Sequence, residues 1–534
     1  MSTKHKKDSK MLKVTNIRLP LDYTRELYER KVLEFLKIEK AEEIILDRRE
    51  TVKKEKEVYF KATFLVSLSD EEEDRLALIM RKKGVTKIDL SPYNVTKCTS
   101  SRRPVVVGFG PAGIFSALVL AMAGMCPIVL ERGRKTEERI CDVDVFKTMG
   151  ILDPESNVQF GEGGAGAFSD GKLKVGLKDQ RRRFILDEFV KAGADESILY
   201  LEKPHVGSDV LHRVIVNLRK KIEALGGEII FGARFERPVI HCGEVTGVIY
   251  TKDKNLYEIP TDNVILAIGH SARDTFSSLL HEGIRMEQKG FGIGVRIEHP
   301  QSLINELEYK GLADLGAADY KMVTHLKNSR SLYTFCMCPG GYVVPAASEE
   351  GGICTNGMSE FARDGKNANT ALLVSVFPSD FPSSHPLAGF ELQREIERRA
   401  YSIGDSYKAP VIRLEDFLAF RESTAFGEVT PTYEPGTVFS SPDSYLPCFI
   451  TETLREGLRD MGDYKKGYLY PDAILTGPET RTTSPVKILR ENYEAEGIKG
   501  LYPAGEGAGY AGGIISSALD GILCAEAILD KIRQ

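Results

Sequence analysis

Between residues 12 and 90 the apolar positions alternate and recur so as to predict a small α/β unit. "LKVTNIRL" alternates as a strand. Tyr28, Val32, Phe35 and Leu36 then fall on one helical face. "EEIILD" and "VYFKATFLVSL" read as two more strands with the polar "KKEKE" between them. Ser69 and Glu72 make a capping box for a helix that runs through Lys83, and Gly84 ends it. "VTKIDL" is the last strand. The order βαββαβ predicts a ferredoxin-like N-terminal α/β domain over residues 1–100, with 91–103 as a linker.

From residue 104 the period changes. "PVVVGFGPAG" is an apolar strand that runs into glycines, and a helix follows. The run "IFSALVLAMAGMCPIVL" (114–130) has the length of a membrane span, but Gly124 and Pro127 divide it into a helix, a turn and a buried parallel strand. Residues 150–180 are polar and glycine-rich. Val210, Val214, Leu218, Ile222 and Leu225 then form a helical stripe. Residues 228–269 alternate like a β-meander that ends in "DNVILAIGHSARD". Short strands such as "GFGIGVRIEH" and "ALLVSVF", a helix near 387–403 and proline-rich loops mark 276–465 as an inserted α+β substrate domain. The chain thus divides into 1–100, 101–275, 276–465 and 466–534, the last closing the domain that the second began.

Composition narrows the picture. Over 534 residues the chain is 42% hydrophobic and 28% charged, which fits a soluble globular protein with a sizeable core. Nine cysteines without framework spacing favour a reducing compartment, and "MSTKHKKDSK" is no secretory signal, so the expected location is cytoplasmic. The net charge of −5 is uneven: residues 1–103 hold 25 Lys/Arg against 18 Asp/Glu, the remainder 47 against 59. The positive segment reads as a solvated mixed-charge surface before a docking face for an acidic partner or RNA, and no aromatic-basic RNA motif supports the latter.

Gly108, Gly110 and Gly113 follow a strand and open a helix. That context makes them a dinucleotide fingerprint: a tight turn, a close approach to a pyrophosphate and close helix–strand packing. Glu131 ends the next strand, where a carboxylate accepts from a ribose 2′-hydroxyl and repels a 2′-phosphate. FAD or NAD fits there, and NADP does not. A second pattern, Gly507-x-Gly509-x-x-Gly512, is followed by one helix and no further strand, so it is not a second NAD site.

The long glycine-rich loop, the meander and "VILAIG" resemble the glutathione-reductase-like flavoproteins. There, a strand ending in a glycine such as Gly269 closes the dinucleotide domain, and "GLYPAGE" matches the last flavin-binding strand. The loop "VQFGEGGAGAFSDGKL" is similar to one used along the cofactor in the succinate-dehydrogenase-like branch. Together "GFGPAG", "LERG", "GEGGAGAFSDGKL", "LAIGHSARD", "YTFCMCPGG", "TNGMS", "GPETRTTSPV" and "PAGEGAGYAGGI" resemble the bacterial family of uncharacterised FAD-dependent dehydrogenases, also called NAD(FAD)-utilising dehydrogenases, from about residue 100 to 534.

The resemblance implies an α/β protein with a discontinuous, FAD-binding, Rossmann-like domain of glutathione-reductase type. Its cofactor contacts would run from Gly108, Gly110, Pro111, Ala112 and Gly113 to Glu131 and Arg132. Gly163, Gly164, Gly166 and Ser169 come from the loop, and Phe235 and Gly269 from the meander. At the other end Gly505 and Glu506 would meet the ribityl chain. The helix opening at Gly512, Gly513 and Ile514 would aim its positive end at the flavin N1/O2 edge.

The expected function is an FAD-dependent oxidoreductase that transfers a hydride between flavin N5 and a small organic substrate, with NAD(P)H at most a transient visitor and no metal. The alternatives are a tRNA-modifying flavoenzyme whose N-terminal domain touches RNA, and a non-catalytic flavin sensor or scaffold. Side-chain candidates for chemistry are few. Cys336 and Cys338 would share one face of a strand, as buried small residues, as a redox pair or as half of a metal site. His270 reads as structural or cofactor-adjacent. Arg296, with Glu298 and His299, reads as a sheet-surface ion pair before an anion site. Glu479 and Arg481 are candidates to line the flavin face.

Overall fold

The computed structural model describes residues 10–54, 57–89, 92–173, 179–312 and 315–533. The opening nine residues, which carry much of the basic start of the chain, lie outside the described residues. The described residues of Met1–Asn94, Gly176–Pro204 and Gly311–Asp314 form one compact unit and those of the remainder another. The first unit thus takes a helix, Gln180–Lys191, that the sequence reading gave to the nucleotide-binding part.

In the first unit the elements run β1 (Lys10–Leu19), α1 (Arg25–Leu36), β2 (Glu43–Lys54), β3 (Glu57–Ser67), α2 (Asp70–Ile79) and β4 (Val85–Asp89). The sheet order is β2-β3-β1-β4, antiparallel throughout. Val32 and Leu36 of α1 and Leu76 of α2 enter its core. Ser69 caps α2 by accepting from the Glu72 amide. The α-helix stops at Ile79, and a 3-10 turn carries the chain to Gly84, which takes φ +86.

The second unit is built on a five-stranded parallel sheet. Its order is Leu501–Pro503, β11 (Val264–Leu266), β5 (Val105–Val107), β6 (Ile128–Glu131) and β7 (Glu228–Phe231). All four pairings are parallel. Between β5 and β6 runs α3 (Pro111–Ala123), buried on almost every side. Its all-round apolarity is what made the sequence resemble a membrane span. Among the described residues no helix is long and apolar enough to cross a membrane.

The stretch read as one meander serves two sheets. Its ends, β7 and β11, join the parallel sheet. Only β8 (Arg234–His241), β9 (Glu244–Lys252) and β10 (Asn255–Pro260) form an antiparallel ribbon. In the helix Ser208–Ala224 the buried stripe is Leu211, Val214, Ile215, Leu218 and Ile222, rotated from the predicted one, because Arg219 is buried beside it to pair with Glu162.

A second sheet of seven strands draws on residues 291–479, with Phe291–Pro300 at its centre, buried on both faces. The strand Ile474–Glu479 pairs with Phe291–Pro300 and Ala409–Arg413. Residues 474–479, in the segment predicted to close the nucleotide-binding domain, thus pair within this sheet. The pattern of an all-buried strand does not say which sheet receives it.

Candidate functional site

Four parallel strands end at one edge of the five-stranded sheet, and the glycine stretches leave from that edge: 108–113 after β5, 132–134 after β6, 267–270 after β11 and 504–506 after Leu501–Pro503. Carboxyl ends of parallel strands are where α/β sheets bind nucleotides.

The first glycines are required by contact. Gly108 has φ +93, and a β-carbon there would stand 2.4 Å from the Ala267 carbonyl oxygen. At Gly113 it would stand 1.9 Å from the Gly108 carbonyl oxygen. Gly110 caps α3, whose Ile114 amide donates to the Gly110 carbonyl at 2.8 Å. The amides of Ala112 and Gly113 precede that bond and receive no partner from the helix.

The segments flanking the second glycine pattern, the turn at Gly505 before it and the helix behind it, close on the first. A β-carbon on Gly505 would stand 2.8 Å from Ala112 Cβ, and one on Gly521 would stand 2.2 Å from the Ala112 carbonyl oxygen. The C-terminal helix, Ile514–Arg533, therefore packs on α3 at its opening turn. The loop completes the third wall: Gly164 lies against Gly110, and Gly166 against Pro111 and Ile514. Beside Gly512, by contrast, nothing lies within 4 Å of an added β-carbon. Two helix N-termini and a glycine-walled floor thus converge on one cradle. This fits an extended, doubly charged dinucleotide whose pyrophosphate needs backbone amides and no side chains.

Several contacts were invisible in the sequence. Arg139, fully buried, donates to the carbonyls of Asn157, Val158, Glu162 and Gly164 and so fixes the glycine-rich loop. Burial brings its pKa down to about 10. Asp520 accepts from the Gly505 amide at 2.7 Å and is itself paired with Arg490, which sets the turn before Glu506. Neither residue belongs to a motif; each is recognised only by what it touches.

The predicted side chains fare unevenly. Glu131 is buried and accepts from three amides, those of Phe109, Gly133 and Gly161. A carboxylate has about four acceptor positions, so one remains for a ribose hydroxyl. Arg132 stacks over Phe160 at 4.2 Å and pairs with Glu155 and Asp274. The Ser169 hydroxyl is spent within its loop, between the Gly166 carbonyl and the Gly171 amide. Gly163 lies against Ile215. The Phe235 ring is in the apolar core, so only its backbone could meet a ligand.

Arg481 sits in a buried ion cluster. Its guanidinium is buried and bidentate to Glu397, with the Ser348 and Ser271 hydroxyls beside it. Glu397 also takes Arg273, so both arginines are committed to one carboxylate. His270 lies beside them, and burial, with the charges of Arg481 and Arg273, lowers its pKa to about 3. The neutral ring bonds the Ser271 hydroxyl at 3.1 Å. It is a polar wall and holds no proton to donate as an imidazolium at neutral pH.

Arg296 is fully buried and not a sheet-surface group; its bidentate partner is Glu479. Glu479 therefore balances a buried cation. Its strand neighbour Glu298 holds Thr432 and Asn367.

At the other end of the cradle, burial raises Glu506 to about 7, with Lys289 opposing and Cys336 adding to the rise. His299 shows the opposite sign. Its ring is sealed, Nε2 donates to the Tyr468 carbonyl at 2.9 Å, and burial lowers its pKa to about 4. The unfolded chain gains a proton near pH 6.5 that the folded ring refuses until about 4. Its contribution is therefore full above pH 6.5 and falls with pH, by up to ~1.4 kcal/mol per unit. Glu506 works the other way over the same range, because the folded state keeps a proton the unfolded chain has released. Comparing His299→Gln with wild type isolates the ring: the stability gap should narrow by roughly 1 kcal/mol between pH 7.5 and 5.5 in denaturant melts. A constant gap would mean the folded ring is not neutral.

Comparison with known proteins adds two kinds of finding. Residues 290–482 match the family model described as "FAD-dependent protein, C-terminal domain-like". A protein of Clostridium beijerinckii, described as uncharacterised, is 45% identical over 530 residues, covering 97% of this chain and 99% of that one. Among solved structures, E. coli quinol fumarate reductase FrdA aligns at 13% identity and a TM-score of 0.38, over 82% of this chain and 71% of that one. A halogenase, PltM, in complex with FAD aligns at 9% and 0.40, over 81% and 70%. A flavoprotein/dehydrogenase from Cytophaga hutchinsonii aligns at 11% and 0.36, over 81% and 78%. Scores of this size carry no inference about this chain.

Proposed function

This chain belongs to a family of FAD-dependent proteins, the one it shares with the Clostridium beijerinckii protein, and from that premise we propose that it is an FAD-dependent oxidoreductase acting on a small organic molecule. The observation that carries the reading is the meeting of the glycine-rich loop (Gly164, Gly166), the turn at Gly505 and the C-terminal helix at Gly521 on Pro111 and Ala112 of the first glycine pattern. One continuous cradle suits one long cofactor. When bound, the flavin supplies two-electron hydride exchange at N5.

The protein's share is to hold, orient and polarise. The open amides of Ala112 and Gly113 and the N-terminus of α3 take the pyrophosphate. The last acceptor position of Glu131 takes a ribose hydroxyl. The C-terminal helix presents its first amides and its positive end where Gly512 and Gly513 leave space, a place suited to negative charge. Glu506, poised near neutrality, bonds a ribityl hydroxyl. Arg139 and Asp520 keep the loop and the turn in place.

Two measurements test this. The purified protein should carry a flavin spectrum and release FAD on denaturation, and an anaerobic reductant screen should bleach it. A colourless protein that refuses added FAD would end the proposal; a bound flavin that no reductant reaches would favour a sensor. Glu506→Ala should lower FAD retention about tenfold, the loss of one hydrogen bond from a carboxyl group, ~1.5 kcal/mol. Glu506→Gln should keep most of it. Equal retention in Glu506→Ala would remove Glu506 from the site.

A further inference from the structure

The strand Ser331–Cys338 departs from regular geometry at its end. Register with Asn367–Val376 jumps between Phe335 and Cys338. Cys336 takes φ +43, a left-handed conformation that a non-glycine residue adopts only under strain. The bulge cancels the alternation that would have set the two cysteines apart by a full strand period. Instead the Cys338 thiol reaches back to the Cys336 carbonyl at 3.2 Å and to its sulfur. Arg296, which donates to the same carbonyl at 3.1 Å, lies 4.0 Å from Cys338 Sγ. Lys172 bonds the intervening Met337 carbonyl.

The charges around this pair are settled. Asp170 is held by Lys172 and Arg363, and Glu479 by Arg296. The Cys338 thiol, with Lys172 and Arg296, favours a thiolate at Cys336, against its burial and Asp170. Cys338 is fully enclosed and stays a thiol, while Cys336 is half-buried and reachable. Lys172 belongs to the glycine-rich loop that walls the cradle, so its bond to the Met337 carbonyl sets the pair against that loop.

We propose that Cys336 and Cys338 form a dithiol–disulfide couple that exchanges an electron pair with the flavin of this protein. The inference rests on the FAD-dependent reading above. Oxidation joins Sγ to Sγ; the two sulfurs give up two electrons and two protons, and the oxidised flavin accepts both electrons and the protons to become reduced flavin. The reverse step opens the disulfide and returns the flavin to its oxidised form. No other reactant is needed for balance.

Anaerobic dithionite titration of the diamide-oxidised, FAD-loaded protein tests it. Wild type should consume about four electrons per flavin, and Cys336→Ser about two. After diamide and alkylation under acid, the peptide that carries both cysteines should be lighter by two hydrogens and unalkylated. Cys336→Ser, at the half-buried position, serves should Cys338→Ser fail to fold. Two electrons per flavin in wild type, with both cysteines still open to alkylation, would overturn the couple and leave the flavoprotein reading intact. A protein that binds no FAD would overturn both.

Discussion

Gly113→Ala should strip the protein of its cofactor. The new methyl would sit 1.9 Å from the Gly108 carbonyl oxygen, well inside contact distance. That carbonyl cannot yield freely, because the Gly108 amide is bonded to the Leu130 carbonyl at 2.8 Å across the sheet. The helix must lift instead, and it is clamped from behind where Gly521 meets Ala112. Overpacking of this kind costs about 1–3 kcal/mol or more. The same displacement moves the amides of Ala112 and Gly113 away from a pyrophosphate. Flavin absorbance per protein should fall at least tenfold, ~1.4 kcal/mol or more in binding. Gly521→Ala should do the same from the other side, although it lies far from the first motif in sequence. Gly404→Ala is the control, since its β-carbon would meet only ordinary contacts at 3.4 Å and beyond. Full flavin content in Gly521→Ala would mean that the packing of the C-terminal helix on Ala112 does not shape the cradle.

Glu397→Gln should be the most destabilising single change. Its oxygens accept from Arg273 at 2.8 and 3.0 Å, from Arg481 at 2.8 and 3.0 Å, and from Thr480 at 2.6 Å. All three charged side chains are buried. Removing the anion leaves two guanidinium groups out of water, with only Glu349 still paired to Arg273. Breaking such a buried pair costs about 3–5 kcal/mol. The denaturant midpoint should drop with an unchanged slope. A loss below ~1 kcal/mol would show that the arginines find other partners. The cluster ties the loop after β11 to the helix Ala388–Gly404 and to the end of the insert at residue 481, so looser flavin binding should accompany the loss.

The glycine motifs were legible because their demand is local. A strand, a positive-φ turn and a close helix are written within ten residues, and Gly108 to Gly113 could be assigned without a partner. The helix behind Gly513 was legible for the same reason. The limits of the insert were not, since Ile474–Glu479 is apolar enough for any buried strand, and the sheet it joins is a matter of distant pairing. Alternation predicts that Cys336 and Cys338 share a face, but the bulge between them depends on the neighbouring strand and has no local signal.

Charged residues show the division most plainly. Sequence marked Arg296, Glu479 and Arg481 as chemically interesting, and nothing local could say what each would meet. Arg296 finds Glu479 across 183 positions and Arg481 finds Glu397 across 84. The sequence by itself determined the dinucleotide signature and the elements that carry it, because steric and hydrogen-bonding rules act over a few residues. The tertiary structure alone decided where the glycine-rich loop and the C-terminal helix meet the first motif, which charges are counterions and which two sulfurs lie together. Those outcomes depend on burial and on contacts between segments far apart in the chain.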